Sequence, residues 1–128
     1  MALWIPPGEP EMSPADAERF PALILATCGE VIGKRLLRVM EGFERDHPAE
    51  PPHFFLDVLG THPDHAGHGY GLGLLAANLA EIDAAGGALV YLETSKPHNV
   101  RLYERFGFTV ERETEVVPGI TATHMWRD

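Results

Sequence analysis

The chain is 128 residues long, enough for one domain around a single core. Its apolar and charged fractions, 45% and 23%, are those of an ordinary globular protein; no apolar run nears the ~20 residues of a membrane span. A net charge of −9 denies it the basic footprint of a nucleic-acid binder, so neither nucleic acid nor membrane is an expected partner.

The N-terminus lacks the basic flank and long apolar segment of a secretory signal. The single cysteine, Cys28, cannot form an internal disulfide, which fits a reducing, cytoplasmic setting.

Met1 to Ile5 is short and apolar, like the end of a strand, and Pro6, Pro7 and Gly8 stop it. Ser13, Pro14 and Asp16 read as a helix start, with an N-cap, a first-turn proline and a first-turn acid. Apolar residues then recur at helical spacing: Phe20, Leu23, Ile24, Val31, Ile32, Leu36, Leu37, Met40 and Phe43. Gly29 and Gly33 are candidate points of division. His47 to Pro52 is proline-rich and cannot continue a helix. Phe54 to Leu59 predicts a largely buried strand, Leu72 to Ala85 a helix ended by Gly86 and Gly87, and Ala88 to Leu92 a second buried strand. Two strands flanking a crossover helix make a βαβ unit and should be parallel. Asn99 to Phe106 predicts a short helix closed by Gly107. Phe108 to Val117 and Ile120 to Trp126 predict an antiparallel pair turning at Pro118 and Gly119.

The segment His62 to Leu75 joins the first buried strand to its helix and carries Gly67, Gly69, Gly71 and Gly73. A strand, a glycine-rich turn and a helix N-terminus gather backbone N–H groups beside the positive end of a helix dipole, and such a site holds phosphate. A Walker A loop needs Lys followed by Ser or Thr after its last glycine, and Leu72 and Gly73 stand there instead. A Rossmann turn follows its strand directly with a different glycine rhythm. His62, His65 and His68 recur every three residues, but loop and helix-start geometry with a proline between them argues against convergence on one metal. No metal is expected.

A second motif runs from Leu92 to Phe108. With the first it closely resembles the GNAT family of N-acetyltransferases, which shows Pro-x-x-Gln-Gly-x-Gly-x-Gly/Ala and, downstream, Asn and Tyr-x-x-x-Gly-Phe. Pro63, Gly67, Gly69 and Gly71 match the first pattern; Asn99, Tyr103, Gly107 and Phe108 match the second. The resemblance implies an α/β (α+β) fold, a mixed sheet flanked by helices, with two parallel strands splayed apart for coenzyme A. It places the pantetheine arm against Leu59, Gly60 and Thr61. It places the pyrophosphate on the amides of Gly67, His68, Gly69, Tyr70, Gly71 and Leu72. Asn99 is implied either as a cofactor contact or as a helix cap. Ala66 and His68 stand where relatives carry Gln or Arg and Arg, and Lys96 where many carry Asn.

The implied reaction is transfer of acetyl from acetyl-CoA to a primary amine by direct attack, with no acyl-enzyme. Tyr103 matches the general acid to the departing thiolate. Glu93 is the first candidate for general base, ahead of Asp57 and His124. The acceptor is an amine-bearing small molecule or protein. Set against the family, residues 1–128 read as one domain. Residues 1–52 are a strand end plus a helical insertion, and residues 53–128 are the acetyl-CoA-binding core and C-terminal hairpin. The usual first strands and helices have no counterpart, so the domain reads as N-terminally truncated. An exposed sheet edge and a bare apolar face are therefore expected, and with them a homodimer. The rival reading is a non-catalytic coenzyme A-binding module or an inactive remnant.

Overall fold

A computed structural model describes all residues, 1–128. Five strands form one sheet: β1 (Ala2–Ile5), β2 (Phe54–Leu59), β3 (Val90–Thr94), β4 (Thr109–Val117) and β5 (Ile120–Arg127), in the order β1-β2-β3-β5-β4. Four helices accompany them: α1 (Pro14–Cys28), α2 (Glu30–Asp46), α3 (Tyr70–Ala84) and α4 (Pro97–Glu104). β2 and β3 are parallel, as a βαβ unit requires, and every other neighbouring pair is antiparallel. The fold is thus a mixed α+β sheet flanked by helices. None of the helices is long and apolar enough to cross a membrane.

The alternation of side chains along each strand splits the sheet into two unlike faces. One face sends Leu56, Val90, Leu92 and Met125 against Leu75 and Leu79 of α3, with Phe108 beside them and Val100 and Tyr103 of α4 at the margin. Burying each large aliphatic side chain here contributes about 1.5–3 kcal/mol. Trp4 Nε1 donates to Asn78 Oδ1 at 3.0 Å and fastens β1 to α3.

The opposite face carries Phe55, Tyr91, His124 and Val116, and α2 lies over it. Gly42 permits this approach. A Cβ there would sit 2.9 Å from the Val116 carbonyl carbon and nearer still to its oxygen, so only glycine lets the helix backbone rest on β4. The apolar face expected to be bare is therefore covered in part, by α2 lying on β4 with α1 packed against α2. Large apolar side chains are exposed on that pair, at Leu23, Val31 and Ile32, and also on the sheet, at Leu3, Val58 and Val110.

Several expected boundaries move. Ser13 caps α1 as read, its Oγ accepting from the Asp16 N–H at 3.2 Å. The helical run divides at Gly29, where φ is 76°, and not at Gly33, which packs inside α2 against Leu25. α3 begins at Tyr70, two residues before the expected Leu72, because Gly69 at φ 78° already caps it. β3 runs to Thr94 instead of ending at Leu92, which sets Glu93 within the strand, paired with His124. α4 starts at Pro97, two residues before the expected Asn99, and Lys96 is its N-cap.

Candidate active site

The site starts from a parting of strands. β2 and β3 pair only at Phe54–Val90 and Phe55–Tyr91, and beyond these they separate. β2 also bulges. Leu3 pairs with Val58 and Trp4 with Leu56, so Asp57 is the extra residue on β2. A bulge turns its strand and re-aims side chains, here at the mouth of the gap.

Gly60 exchanges both backbone hydrogen bonds with Met1, its N–H donating at 2.9 Å and its carbonyl accepting at 2.7 Å. In an antiparallel pair the neighbouring residues then point their polar groups the other way. Leu59 and Thr61, but not Gly60, therefore turn backbone toward the gap. Of the three residues implied for the pantetheine arm, Gly60 is the one whose backbone is already spent on β1.

Below the gap lies a groove of about 420 Å³. It is lined by Leu59, Thr61, His65, Gly67, Gly69, Tyr70, Gly71, Leu72, Asn99, Leu102 and Tyr103. Eight of the ten residues implied for the cofactor meet here, and Gly60 and His68 are the exceptions. Gly67 and Gly69 take φ of 80° and 78°, conformations that L side chains rarely adopt. At Gly71 a Cβ would stand 2.8 Å from Thr61 Oγ1, so a larger residue would require the Thr61 side chain to turn. The first intrahelical N–H bond of α3 runs from Gly73 to the Gly69 carbonyl at 2.8 Å. The N–H groups of Tyr70, Gly71 and Leu72 thus have no partner within the helix and stand at the positive end of its dipole, the arrangement an anion binds.

The three loop histidines do not converge. His62 caps the single 3₁₀ turn Pro63–His65, and the His68 ring stacks on Tyr70 at 5.6 Å.

Above the gap is a larger cleft of about 1110 Å³ between the sheet, α1 and α2. Glu9, Glu11, Glu41, Glu44, Asp57 and Glu93 line it, with Lys96 as its one Lys or Arg. Burial raises the Glu11 carboxyl pKa, and the nearby charges of Asp57 and Glu44 add to this. Burial alone raises Asp57. His47, also in the lining, is pushed down to about 4 by burial and by His53 and His124, so it is neutral at pH 7.

Leu59, Asn99 and Tyr103 line both the groove and the cleft. Tyr103 is held by α4 and packs edge-on against Phe108 at 6.0 Å. Burial raises its pKa, so the phenol keeps its proton at neutral pH and can donate it. Asn99 is not the helix cap. It sits in the first turn of α4 and its Nδ2 donates to Thr94 Oγ1 at 3.4 Å.

Glu93 is nearly buried, its side chain 9% exposed, yet it reaches the cleft. Burial pushes its pKa up to about 7, against the lowering effect of a hydrogen bond from Tyr91. That bond runs from Tyr91 Oη to Glu93 Oε2 at 2.7 Å. Tyr91 Oη also shares a short hydrogen bond with His124 Nδ1, and His124 Nε2 lies 2.7 Å from Thr114 Oγ1. Tyr91 and His124 are both fully buried. Buried polar groups are costly unless bonded; the Tyr91 hydroxyl and both His124 nitrogens are bonded, while His47 Nδ1 beside them has no partner.

Of the three candidate bases, Glu93 and Asp57 thus face the cleft, while His124 stands behind Glu93, its Nδ1 3.5 Å from Glu93 Oε2. Tyr91 and Thr114 were not foreseen as site residues. The available signal was an ionisable residue, Glu93, inside a strand buried on both faces, which needs polar company.

Residues 2–108 match the acetyltransferase (GNAT) family. Among solved structures, the ribosomal-protein-S18-alanine N-acetyltransferase from Escherichia coli is 26% identical, with 59% of this chain and 53% of that one covered at a TM-score of 0.52. The NatC complex bound to Gag peptide and CoA is 18% identical, covering 63% and 54% at a TM-score of 0.53. The histone acetyltransferase HPA2 and related acetyltransferase from Corynebacterium glutamicum is 16% identical, covering 98% and 95% at a TM-score of 0.56. The chain spans about half the length of the first two and nearly all of the third; it likewise spans 49% of nourseothricin acetyltransferase. With residues 2–108 matched to the family and a mixed sheet flanked by helices in place, this chain belongs to the GNAT family of acetyltransferases.

Proposed function

We propose that the protein transfers an acetyl group from acetyl-CoA to a primary amine. The observation that carries this reading is the meeting of groove and cleft at Leu59, Asn99 and Tyr103. A ligand whose pyrophosphate rests on α3 and whose acyl end enters the gap reaches the acceptor cleft at that point. Glu93 takes the proton of the attacking amine, and Tyr103 returns one to the thiolate that leaves. No acyl-enzyme is formed. The turn amides hold the pyrophosphate without an arginine, since Ala66 and His68 stand at the positions relatives fill with longer polar side chains. The domain acts as one unit, residues 1–52 supplying the acceptor wall and residues 53–128 the coenzyme A-binding core.

The lining of the cleft narrows the acceptor. Six carboxylates face one lysine there, which favours an amine that carries further positive charge and disfavours an acidic one.

The test is acetyl-CoA consumption with a panel of amines, from neutral monoamines to polyamines and basic peptides, beside a thermal melt with and without acetyl-CoA. A ligand that binds only the folded state raises stability by about 2.7 kcal/mol at one-hundred-fold excess over Kd. Turnover that favours cationic amines and an upward melt shift are expected. A melt shift with no turnover on any amine would leave a coenzyme A-binding module. No shift would remove acetyl-CoA as the ligand.

A further inference from the structure

We propose that His47 and His53 hold one divalent metal ion of the kind that prefers imidazole, zinc foremost, between their Nε2 atoms at the wall of the larger cleft. They are a separate pair from the three loop histidines. His47 is the C-cap of α2 and His53 directly precedes β2, so the five residues Pro48 to Pro52 stand between them. Zinc-binding histidines commonly have about three to five residues between them, a spacing that lets both rings reach one ion.

The geometry of the rings carries the proposal. A bond from zinc to an imidazole nitrogen is about 2.0–2.1 Å long. Two such bonds at a tetrahedral angle put the nitrogens about 3.4 Å apart and the ring centres about 5.2 Å apart. His47 Nε2 and His53 Nε2 are 3.4 Å apart, and their ring centres are 5.3 Å apart. Both distances match. A direct hydrogen bond between the nitrogens fits less well, since protein N–H bonds span about 2.7–3.2 Å.

The proton positions favour free lone pairs at Nε2. His53 Nδ1 lies 2.6 Å from the Pro51 carbonyl oxygen, which can only accept, so the neutral ring keeps its hydrogen on Nδ1 and Nε2 is bare. An Nδ1–H held by a backbone carbonyl is the usual support behind a metal-bound histidine. His47 Nδ1 is unpartnered with or without a proton, so only the long contact with His53 holds a hydrogen on its Nε2.

Packing fixes both rings before an ion arrives. His47 lies against Phe55 at 4.6 Å and Tyr91 at 5.1 Å, and His53 against Tyr91 at 5.4 Å and Trp126 at 4.9 Å, all edge-on. Both histidines line the cleft, which gives the ion a way in and gathers cations with its carboxylates. His47 also stands at the negative end of the α2 dipole. No third His, Cys, Asp or Glu completes the set, so the open positions fall to water or to an amine nitrogen from the cleft. Imidazole nitrogens select zinc, copper or nickel over magnesium and calcium, which take oxygen ligands. Bound there, the ion clips the end of α2 to the start of β2.

Zinc chloride titrated calorimetrically into EDTA-treated, dialysed protein near neutral pH tests this. One site of micromolar affinity is expected, with no uptake of magnesium chloride and an upward melt shift with zinc. His47→Gln and His53→Gln should each weaken zinc binding about tenfold or more. His62→Gln combined with His65→Gln should leave zinc binding unchanged. Uptake that keeps its affinity in both His47→Gln and His53→Gln, or no saturable uptake by the parent, overturns the site.

The parent chain carries its own reporter. Trp126 packs on His53, while Trp4 lies on the other face of the sheet, bonded to Asn78 of α3. Copper(II) quenches an adjacent indole. Copper chloride should quench the Trp126 share of the emission saturably, zinc should compete with it, and Trp126→Phe should remove the quenched share. Trp126 emission that is unchanged at saturating copper overturns the site even where a histidine variant fails to fold. None of these readouts needs turnover, so they stand or fall apart from the proposed function.

Discussion

On one side of the gap between β2 and β3, the proposed phosphate turn is backbone from one short stretch, with Gly67, Gly69, Tyr70, Gly71 and Leu72 lining the groove. On the other, the proposed reaction centre is side chains drawn from β3, β5, β4 and α4, with residues up to 33 positions apart in direct hydrogen bond. A site made of amides is specified by what is absent, the Cβ atoms, and it tolerates loss of nearby polar side chains. A site made of side chains fails when one atom changes. The two halves of one reaction should therefore respond to mutation in opposite ways.

The largest effects belong to the side-chain half. Glu93→Gln and Tyr103→Phe should each lower kcat by about 10²–10⁴-fold, the usual range for a general base or acid. Acetyl-CoA should still raise the melting temperature of both variants, since neither change touches the turn. A variant that loses cofactor binding along with turnover would break the division between the halves. The base role also fixes a pH profile. Glu93 must be ionised to accept a proton, and burial holds its pKa at about 7, so kcat/KM should rise with pH through that value. Activity that is flat from pH 5.5 to 8 would remove Glu93 as the base.

The same division explains what was legible in the sequence. The turn was readable because Gly67, Gly69 and a helix soon after them are local facts, although the helix starts at Tyr70 and not at the expected Leu72. The βαβ unit and the Pro118–Gly119 hairpin were readable for the same reason. The boundaries of β3 and α4 slipped by two residues, since tertiary pairing, here Glu93 with His124, extends a strand past its apolar run. The covering of the second sheet face was not readable. It depends on Gly42 meeting Val116 across 74 positions, and nothing in either neighbourhood announces the other. His124 was visible only as a histidine in a strand. Its partners Tyr91 and Thr114 come from two other strands and needed the register.

A second prediction turns the base into a stability probe. An acid whose pKa rises on folding binds its proton more tightly when folded. Its favourable contribution is thus present at low pH and lost as pH climbs from the unfolded value of 4.5 through about 7. At one pKa unit per 1.36 kcal/mol, ionising Glu93 in place costs about 3 kcal/mol at most by pH 8. Glu93→Gln should therefore be more stable than the parent at pH 8, and the gap should close toward pH 5. His47 acts with the opposite sign: its pKa is depressed to about 4, so its contribution fades as pH falls below 6.5. Subtracting variant from parent at each pH in urea unfolding cancels that background. A variant that is less stable at pH 8 would mean that Tyr91 loses more than the buried charge releases.

Smaller effects test the backbone half. Gly69→Ala forces a side chain into φ 78° and should cost about 1–2 kcal/mol, with acetyl-CoA binding weakened as the turn shifts. His68→Ala removes a whole ring beside the same turn and should leave acetyl-CoA affinity within about twofold, because His68 does not line the groove. Isothermal titration separates the two. If His68→Ala weakens binding more than Gly69→Ala, the phosphate is held by side chains after all.

The smallest effect falls on the fourth glycine of the run. Gly73 belongs to the same pattern in sequence but not to the same function. Its N–H is already bonded to the Gly69 carbonyl at 2.8 Å, so it offers no donor to an anion. Its φ is ordinary, nothing lies within 4 Å of where a Cβ would stand, and it is absent from the groove lining. Alanine is favoured over glycine inside a helix by about 0.8–1.0 kcal/mol. Gly73→Ala should therefore raise the melting temperature by a few degrees, with acetyl-CoA affinity unchanged. A loss of affinity would mean that the ligand approaches α3 one turn deeper than the free amides of Tyr70, Gly71 and Leu72 require, and the backbone site would extend along the helix flank.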